Sequence, residues 1–175
     1  MRITGGELAG RHIPTKFASH VRPTTDRVRE SIFNLIAHNY PQAFGQVLDL
    51  YSGSGIISLE SISRGAEHIT SIDSDSKNIT NLKEICSNWD ISNWTIHRNK
   101  TERFIKNCNQ SYDLIFADPP YDLAGINNLP ELIIPLLNPG GIFIFEHQPN
   151  LVPSMAATQV KNYGSTVCSI FATSP

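Results

Sequence analysis

Apolar and polar residues follow a regular succession of patterns from residue 46 onward. Short, largely apolar runs such as 47–50 and 142–145 are typical of strands that helices cover on both faces of a parallel sheet. Between these runs, apolar residues recur at helical spacing. The chain therefore has the pattern of an open α/β sheet, in which ligands bind at the carboxyl ends of the strands. The predicted strands are 46–50, 68–73, 95–98, 112–117 and 142–147, and the predicted helices are 56–64, 77–89, 101–108 and 129–137.

The pattern before this sheet is different and predicts a hairpin followed by a helix. Residues 2–4 and 11–13 are short strand-like runs separated by glycines. Thr24 or Thr25 is a suitable helix cap, and apolar residues then follow helical spacing until Pro41 ends the helix.

The last part of the chain predicts two turns. The stretch 138–141, with the sequence Asn-Pro-Gly-Gly, is a strong turn signal before the fifth strand. Residues 159–163 and 166–173, on either side of Gly164, predict a closing hairpin.

The composition predicts a folded, cytoplasmic protein without a metal site. Of the 175 residues, 40% are hydrophobic and 17% are charged, which allows a hydrophobic core and argues against general disorder. No apolar run approaches the roughly 18 residues of a membrane span, and the N-terminus lacks the apolar segment of a signal peptide. The 3 cysteines and 6 histidines are scattered, so we expect reduced thiols and neither a disulfide framework nor a bound metal.

Charge is unevenly distributed around the net value of −2. The first 30 residues carry +3 and the remainder carries −5. A basic end on an acidic body suggests that a polyanion binds at that end, although a solvated terminal segment has the same composition. We therefore divide the chain into a basic arm at 1–20, which contacts the polyanion, and a larger domain at 21–175.

The fourth predicted strand ends in the stretch Asp118-Pro119-Pro120-Tyr121. The two prolines stop the strand and stiffen the backbone beyond Asp118. The Asp118 carboxylate and the Pro119 carbonyl then form a pair of acceptors for a planar –NH2 group, and the Tyr121 ring can stack on the base that carries this group. An ordinary proline-rich turn is the alternative interpretation.

The loop 49–55, which joins the first strand to its helix, has the pattern of a nucleoside-binding turn. Its two glycines allow tight turning and close approach of a ligand. A dinucleotide fingerprint needs a third glycine where Ser58 stands, and Asp49 would repel a pyrophosphate. Asp49 instead suits a ligand with an ammonium group, such as the methionine end of S-adenosylmethionine (SAM). Asp73, at the end of the second strand, is placed to bind both ribose hydroxyls. Taken alone, each feature is also compatible with a plain turn or a solvated acid.

Several stretches of the chain together resemble one known family. The chain resembles the class I SAM-dependent methyltransferases, and most specifically the bacterial family that methylates the N2 amine of a guanine in small-subunit ribosomal RNA (the RsmD type). The segment 22–34 carries this specificity, because many amino-methyltransferases share the last two motifs. The matching stretches are Arg2-Ile3-Thr4-Gly5-Gly6, Gly10-Arg11, 22–34, 49–55 and 118–121.

The resemblance implies a Rossmann-like, seven-stranded, mostly parallel sheet with an antiparallel last strand and a small N-terminal hairpin. It also implies SAM as the cofactor, guanine 966 as the family target, and a monomer that acts on 16S rRNA or on a small-subunit assembly intermediate. The implied catalytic residues are Asp118, Pro119, Pro120 and Tyr121. The implied cofactor-binding residues are Asp49, Tyr51, Ser52, Gly53, Gly55, Asp73, Ser74 and Thr25. The implied RNA-binding residues are Arg2, Arg11, Arg22, Arg27 and Arg29.

Three features depart from the family pattern. Ala9 stands where a further basic residue is common, which predicts a weaker hold on RNA. The pair Asn99-Lys100 stands where an acid or amide usually binds the adenine amino group, and a lysine cannot accept that hydrogen bond. The tail after Val152 is short, so the position of the last strand is the least defined part of the prediction.

Other functions fit parts of the sequence. A DNA adenine-N6 methyltransferase uses the same 118–121 motif, but 175 residues leave little room for additional DNA-recognition structure. A non-catalytic RNA-binding or assembly factor on the same fold has no need of the three acids Asp49, Asp73 and Asp118. An NAD-dependent oxidoreductase is disfavoured by Ser58.

The sequence leaves the roles of two arginines open. Arg22 and Arg29 flank the capped start of the first helix. They could contact RNA, cover the methionine end of SAM, or pair with the nearby acids Glu30 and Asp26.

Overall fold

The fold alternates strands and helices in a computed structural model that describes residues 1–14 and 25–175. The strands are β1 (Gln46–Leu50), β2 (His68–Asp73), β3 (Trp94–Arg98), β4 (Tyr112–Ala117), β5 (Leu137–His147), β6 (Gln159–Asn162) and β7 (Val167–Ala172). The α-helices are α1 (Asp26–Asn39), α2 (Ile56–Ser63), α3 (Ser76–Asn88), α4 (Thr101–Asn107) and α5 (Leu129–Ile133). Short 3-10 turns lie at Pro41–Phe44, Ile126–Asn128 and Ile134–Leu136. None of the helices described is long and apolar enough to cross a lipid bilayer.

The seven strands form one sheet in the order β3-β2-β1-β4-β5-β7-β6. Strands β1 to β5 are parallel, whereas β7 runs antiparallel to both β5 and β6. This arrangement confirms the predicted sheet, its antiparallel strand and the closing hairpin. The order of the strands reverses between β1 and β4, which is the point where open α/β sheets bind ligands.

The strand bounds agree with the sequence prediction except at β5. This strand begins at Leu137, so the predicted turn 138–141 lies inside it. Pairing with β4 shifts register there, because Tyr112 is opposite Leu137 whereas Leu114 is already opposite Ile142. The turn residues therefore form an irregularity within the strand, which Gly140 permits with its φ of 75°.

Helices cover the sheet on both faces, as the apolar strands predicted. One hydrophobic cluster joins alternate sheet residues such as Val47 and Leu114 to side chains of α1, α2 and α3. A second cluster joins the intervening residues, such as Leu48 and Ile115, to α4 and α5. Because both faces are covered, the open carboxyl edge of the strands is the part of the sheet left available to a ligand.

The described part of the N-terminal arm, residues 1–14, packs onto the fold. The predicted hairpin is reduced to one antiparallel bridge between Arg2 and His12. Ile3 and Ile13 are buried in the first hydrophobic cluster. Residues 5–8 lie along the end of α2, where the Ser63 carbonyl accepts from the Glu7 N–H at 2.7 Å. These residues therefore contribute to the core of the domain.

The glycine at position 6 has a packing role that the sequence did not indicate. Gly6 has a φ of 78°, and a Cβ at this position would lie 1.7 Å from the Ser63 carbonyl oxygen. Gly6 thus allows the backbone of the arm to lie against α2.

A buried ion pair lies beneath this segment and joins α1 to α2. The Arg29 side chain is fully buried, and its Nε donates to Glu60 Oε1 at 2.9 Å. Its Nη2 donates to Asp26 Oδ1 at 2.9 Å and to the Arg2 carbonyl. Glu60 also accepts from the Thr4 N–H at 2.6 Å. Arg29 therefore links the arm, α1 and α2, and its pairing with Asp26 matches one of the alternatives left open by the sequence.

Candidate active site

A cavity of about 790 Å³ opens at the carboxyl ends of β1, β2, β3 and β4. Eight of its lining residues are among those that the sequence proposes for the cofactor or for catalysis: Tyr51, Gly53, Asp73, Ser74, Asp118, Pro119, Pro120 and Tyr121. Five others were not among the proposed site residues, although Lys100 stands at the position where the resemblance implies an adenine contact: Asn78, Lys100, Thr101, Glu102 and Leu123. The two motifs at 49–55 and 118–121, far apart in the chain, therefore line one cavity.

Asp73 is the last residue of β2, and three donors hold its carboxylate in place. Oδ2 accepts from the Gly53 N–H at 2.8 Å and from Asn78 Nδ2 at 3.2 Å. Oδ1 accepts from the Asp75 N–H at 2.8 Å. A carboxylate offers about four acceptor positions, so Asp73 keeps capacity for a ligand hydroxyl. Asn78 was missed by sequence reasoning, although its place in the first turn of the helix after Asp73 was a usable signal.

Tyr51 has two features that are typical of a ligand site. Its φ of 60° is uncommon for a residue with a large side chain. Its hydroxyl is buried near Thr101 and Glu102 and makes no hydrogen bond within the part of the chain that the structure describes. Burial raises the pKa of Tyr51 to about 12, so the hydroxyl remains neutral. Backbone strain and an unsatisfied polar atom concentrate at functional sites.

Asp49 lies beneath the cavity and does not line it. Its Oδ2 accepts from the Ser58 hydroxyl at 2.5 Å and from the Ser58 N–H at 3.2 Å. Ser58 in turn contacts the Ser71 hydroxyl, which accepts from Trp94 Nε1 at 2.7 Å. Burial raises the pKa of Asp49 to about 7. Ser58 thus engages one oxygen of the carboxylate, and the expected contact of Asp49 with a ligand ammonium group stays a prediction.

Three other proposed cofactor residues lie outside the cavity lining. Ser52 is buried, and its N–H and hydroxyl both donate to the Ile72 carbonyl. Gly55 has a φ of 73°, and a Cβ there would lie 2.4 Å from Leu82, so it serves packing against α3. Thr25 accepts from the Val28 N–H at 3.4 Å and caps α1, which confirms its predicted helix-capping role.

Asp118 directly follows β4 and is partly buried at its end of the cavity. Burial is the main reason that the pKa of its carboxyl rises to about 8, and the nearby acids Glu146 and Asp49 raise it further. Within the described residues, its side chain makes no hydrogen bond or ion pair. A cation or a pair of N–H donors would stabilise the charged carboxylate, so Asp118 has the properties of a group that a ligand completes.

Glu146 is an acid near the site that the sequence did not indicate. It lies on β5, one position beyond the pair formed by Ala117 of β4 and Phe145 of β5. It is buried, and its Oε1 accepts from the Thr166 hydroxyl at 3.1 Å. An alignment of the ends of the parallel strands β4 and β5 could have identified it. Ala117 is opposite Phe145, so the next residues, Asp118 and Glu146, are neighbours.

The prolines and tyrosine after Asp118 shape the mouth of the cavity. Pro119 is buried and Pro120 is exposed. The Tyr121 side chain is 50% exposed, although it is large and apolar. The exposed Tyr121 ring, next to the partly buried Asp118 and the buried Pro119, is a suitable surface for stacking a base.

The five proposed RNA-binding arginines are in different environments. Arg29 is buried in the Glu60 ion pair, so its guanidinium does not face solvent. Arg2 is exposed and lies 3.7 Å from Asp26. Arg11 is exposed and stacks on the Trp89 ring, with the guanidinium carbon 4.0 Å from the ring centre. Arg27 is exposed on α1. Arg22 lies outside the described residues.

The chemistry of the cavity fits SAM. Its volume lies within the roughly 300–1,000 Å³ range of small-molecule sites. The lining residues follow the order of the strands. Lys100 and Glu102 come after β3, Asp73 and the Gly53 loop after β2 and β1, and Asp118 after β4. A nucleoside with a cationic tail matches this row, because Asp73 can accept from ribose hydroxyls and the acids beside Asp118 favour a positive charge.

Comparisons with known proteins agree with this fold. The family model described as "Conserved hypothetical protein 95" matches residues 1–172. The "Putative rRNA methyltransferase YlbH" of Bacillus subtilis is 32% identical over 182 residues, covering 98% of each chain. The "Ribosomal RNA small subunit methyltransferase D" of Buchnera aphidicola (subsp. Baizongia pistaciae) is 34% identical over 134 residues, covering 77% of this chain and 68% of the relative.

A solved structure shares the fold over the same length. The "Putative methyltransferase yhhF from Escherichia coli" superposes with a TM-score of 0.85 at 24% identity and covers 99% of this chain and 98% of its own. The sequence-based resemblance is thus confirmed over nearly the whole chain: it belongs to the Conserved hypothetical protein 95 family, which contains the RsmD-type methyltransferases.

Proposed function

We propose that this protein transfers a methyl group from SAM to the exocyclic N2 amine of a guanine in small-subunit ribosomal RNA. The names of the relatives support an rRNA methyltransferase. The similarity to SAM-dependent methyltransferases supports SAM as the cofactor. The guanine N2 position, and guanine 966 as the nucleotide, are the finer part of the proposal and follow the RsmD resemblance. The observation that carries the proposal is that Asp118 and Asp73 line one cavity, so an amine and a nucleoside cofactor have adjacent sites.

In this proposal, SAM occupies the cavity and supplies an electrophilic methyl group on a sulfonium. Asp73 accepts from the ribose hydroxyls, with its carboxylate already oriented by Gly53 and Asn78. Asp49 supports the loop from below through Ser58, and its position near Asp118 adds to the negative field around the methyl donor. A fixed negative field at a cationic ligand is a form of preorganised electrostatics.

The acceptor amine is held by Asp118 and the Pro119 carbonyl. The lone pair of a guanine N2 amine is delocalised into the ring, which makes the nitrogen a poor nucleophile. Two acceptors that take hydrogen bonds from both N–H groups favour a pyramidal nitrogen with a localised lone pair. Orientation of this nitrogen towards the methyl group then supplies most of the rate.

The proton that leaves the amine has a nearby acceptor. Asp118 has a pKa raised to about 8, so it binds a proton more readily than an ordinary carboxylate does. It is charged when it accepts the N–H bonds and neutral after it takes the proton, and release to solvent completes the turnover. The Tyr121 ring, exposed at the mouth, stacks on a guanine removed from its neighbours.

The RNA lies, in this proposal, against the exposed basic side chains of Arg2, Arg11 and Arg27. Each of them has access to solvent, unlike Arg29. Phosphate contacts of this kind position the nucleic acid without reading its sequence. The protein acts as a monomer on 16S rRNA or on an assembling subunit, as the resemblance implies.

Nucleoside mass spectrometry tests the proposal. Small-subunit rRNA from cells that lack the gene is incubated with the purified protein and SAM. We expect formation of N2-methylguanosine by the wild type and by the control Asp122→Ala, and its loss in Asp118→Ala. Asp122 is a suitable control because it is exposed in the same loop. Formation of N6-methyladenosine, or of no methylated nucleoside, would contradict the proposal.

A further inference from the structure

Glu146 is a buried acid on β5 that the mechanism proposed above does not use. Its side chain is 3% exposed, and its Oε1 accepts from the Thr166 hydroxyl at 3.1 Å. The same hydroxyl lies 3.3 Å from the His147 carbonyl oxygen, so the carboxylate is the nearer of its two acceptors. A hydrogen bond to the charged form of a carboxyl group stabilises that form. The Thr166 hydroxyl therefore orients Glu146 and favours its charged state.

Strand pairing places Glu146 beside Asp118 on one face of the sheet. Phe116 of β4 is opposite Ile144 of β5, and both belong to the first hydrophobic cluster. Because alternate residues of a strand share a face, the residues two positions later, Asp118 and Glu146, continue this face at the strand ends. The two charges act on each other: after burial, Glu146 is the next cause of the raised pKa of Asp118.

The other titratable groups around this pair are one acid and two neutral side chains. Asp49 of β1 also raises the pKa of Asp118. Cys168 of β7 is opposite Glu146, and Tyr163 lies between β6 and β7. Burial raises the pKa of the Cys168 thiol and of the Tyr163 hydroxyl, so both remain neutral near pH 7.

The neighbouring elements also carry an arginine and a histidine. Arg29 of α1 is paired with Glu60 and Asp26. His147 follows Glu146 and therefore lies on the opposite face, where its ring packs on Phe145. Burial lowers the pKa of His147, which keeps the imidazole neutral. Neither side chain is among the groups that shift the pKa of Asp118.

The surroundings of the two acids differ, and this difference assigns their roles. Glu146 accepts the Thr166 hydrogen bond, whereas the Asp118 side chain makes no hydrogen bond within the described residues. When two carboxyl groups lie close together, the one with the better-stabilised charge keeps it, and the other holds the proton. Asp118 is therefore the member of the pair that takes up a proton near neutral pH.

We propose that Glu146 is a positioning residue of the methyl transfer, whose charge keeps Asp118 able to take the proton that leaves the amine. As the N–C bond forms, the C–S bond of the sulfonium breaks and its electron pair stays on the sulfur. The N–H bond then breaks, and its proton moves to the Asp118 carboxylate. This inference deepens the proposed function, because it rests on the role given there to Asp118.

A titration of the Asp118 carboxyl group tests the inference without SAM or RNA. The protein is labelled with carbon-13 at the side-chain carboxyl of aspartate, and the Asp118 signal is the one that disappears in Asp118→Asn. We expect Glu146→Gln to lower the titration midpoint of this signal by about one pH unit, a tenfold change in its acid dissociation constant. Removal of a neighbouring negative charge makes ionisation of Asp118 easier.

Two further variants separate charge from structure. Glu131→Gln removes the same charge at an exposed position of α5 and should leave the midpoint unchanged. Glu146→Asp keeps the charge but shortens the side chain, whereas Glu146→Gln keeps the length and loses the charge. The midpoint of Glu146→Asp should therefore be closer to that of the wild type. An unchanged midpoint in Glu146→Gln, or a larger shift in Glu146→Asp, would overturn the inference.

The pH dependence of single-turnover methylation connects the titration to the reaction. The rate should rise with pH as Asp118 becomes charged and can accept the N–H bonds. In Glu146→Gln this rise should occur at lower pH, and the rate at high pH should be about threefold lower because a weaker base takes the proton. A rate profile that does not move while the titration does would also overturn the inference. A wild type that forms no N2-methylguanosine would contradict the proposed function, and the titration separates the two failures.

Discussion

Two regions of the molecule bury carboxylates, and they treat the charge in opposite ways. Beneath the N-terminal segment, Glu60 is bonded to Arg29, Arg64 and the Thr4 backbone. At the ends of β1 and β4, no described residue forms an ion pair with Asp49 or Asp118, and the pKa of each is raised. The first region satisfies its own charge, whereas the second keeps a deficit that a cationic or amine-bearing ligand can remove.

This difference distinguishes a buried acid that stabilises the fold from one that is suited to bind a ligand. A buried acid with its cation in place contributes to one defined arrangement of α1, α2 and the arm. A buried acid without a cation destabilises the ligand-free protein. Such acids are typical of functional sites, where ligand binding offsets the free energy of burial. The contrast therefore supports the proposed role of Asp118 without reference to its sequence motif.

The largest effect should come from removal of the cation in the first region. Arg29→Met leaves Glu60 buried without its principal partner, so we expect a loss of about 3–5 kcal/mol in the free energy of unfolding. Urea denaturation measures it. The double variant Arg29→Met with Glu60→Leu should recover much of the loss, because no charge then remains buried. A loss below about 1 kcal/mol in the single variant would remove the basis of the comparison.

A smaller effect, on activity, should come from Asp118→Asn. The amide keeps the shape but offers one acceptor oxygen where the carboxylate offers two and carries charge. We expect turnover to fall by about two orders of magnitude or more, as for loss of one preorganised polar group. SAM affinity should change little, because Asp73 and the Gly53 loop are intact. Single-turnover methylation and calorimetry check the two parts, with Asp122→Asn as the matched control.

The same substitution should stabilise the protein in the absence of ligand. The pKa of Asp118 is about 8 in the folded state and is raised from its ordinary value of 3.8. Between these values the folded state binds a proton that the unfolded state has lost, so wild-type stability falls as the pH rises through this window. Asp118→Asn lacks this loss. We expect it to be more stable than the wild type by about 1 kcal/mol at pH 8, and by less at pH 5.

Urea midpoints at the two pH values measure this difference. Asp49, with its pKa raised to about 7, contributes a pH dependence of the same sign in both proteins, so the difference between the two proteins reports mainly on Asp118. If the free energy of unfolding depended on pH in the same way in the variant and the wild type, the pKa of Asp118 would not be raised in the folded state.

The smallest effect concerns an exposed charge that belongs to neither region. Arg27→Ala should change the free energy of unfolding by less than about 0.5 kcal/mol, because its side chain is exposed and makes no ion pair within the described residues. RNA affinity should nevertheless become less sensitive to salt, with a slope smaller by about one. Filter binding at several salt concentrations tests this. An unchanged slope would exclude Arg27 from the RNA contact.

Sequence reasoning succeeded where a local pattern determines the structure. Apolar runs located β1 to β4 to within a residue, and the motif at 118–121 located one end of the cavity. It was incomplete where another part of the chain decides the surroundings of a side chain. Arg29 is buried because Glu60, 31 residues later, accepts from it. Asp49 accepts from the Ser58 hydroxyl and lies outside the cavity lining, which the loop pattern alone did not indicate.

The remaining site residues were missed because they belong to no local pattern. Glu146 approaches Asp118 only because β5 pairs with β4, and Glu102 reaches the cavity only because β3 lies beside β2. Such residues become predictable once the order of the strands is known, since the residues that follow parallel strands then share one edge.

The attachment of the N-terminal segment to α2 has a consequence for how the chain is made. Ile3 and Ile13 leave the ribosome before α2, but the surface that buries them includes that helix, which ends at Ser63. The Glu7–Ser63 and Arg29–Glu60 contacts likewise need that helix. The N-terminal segment therefore stays exposed until α2 has been synthesised. Folding of this domain should begin with β1 and α2 and close the N-terminal segment afterwards.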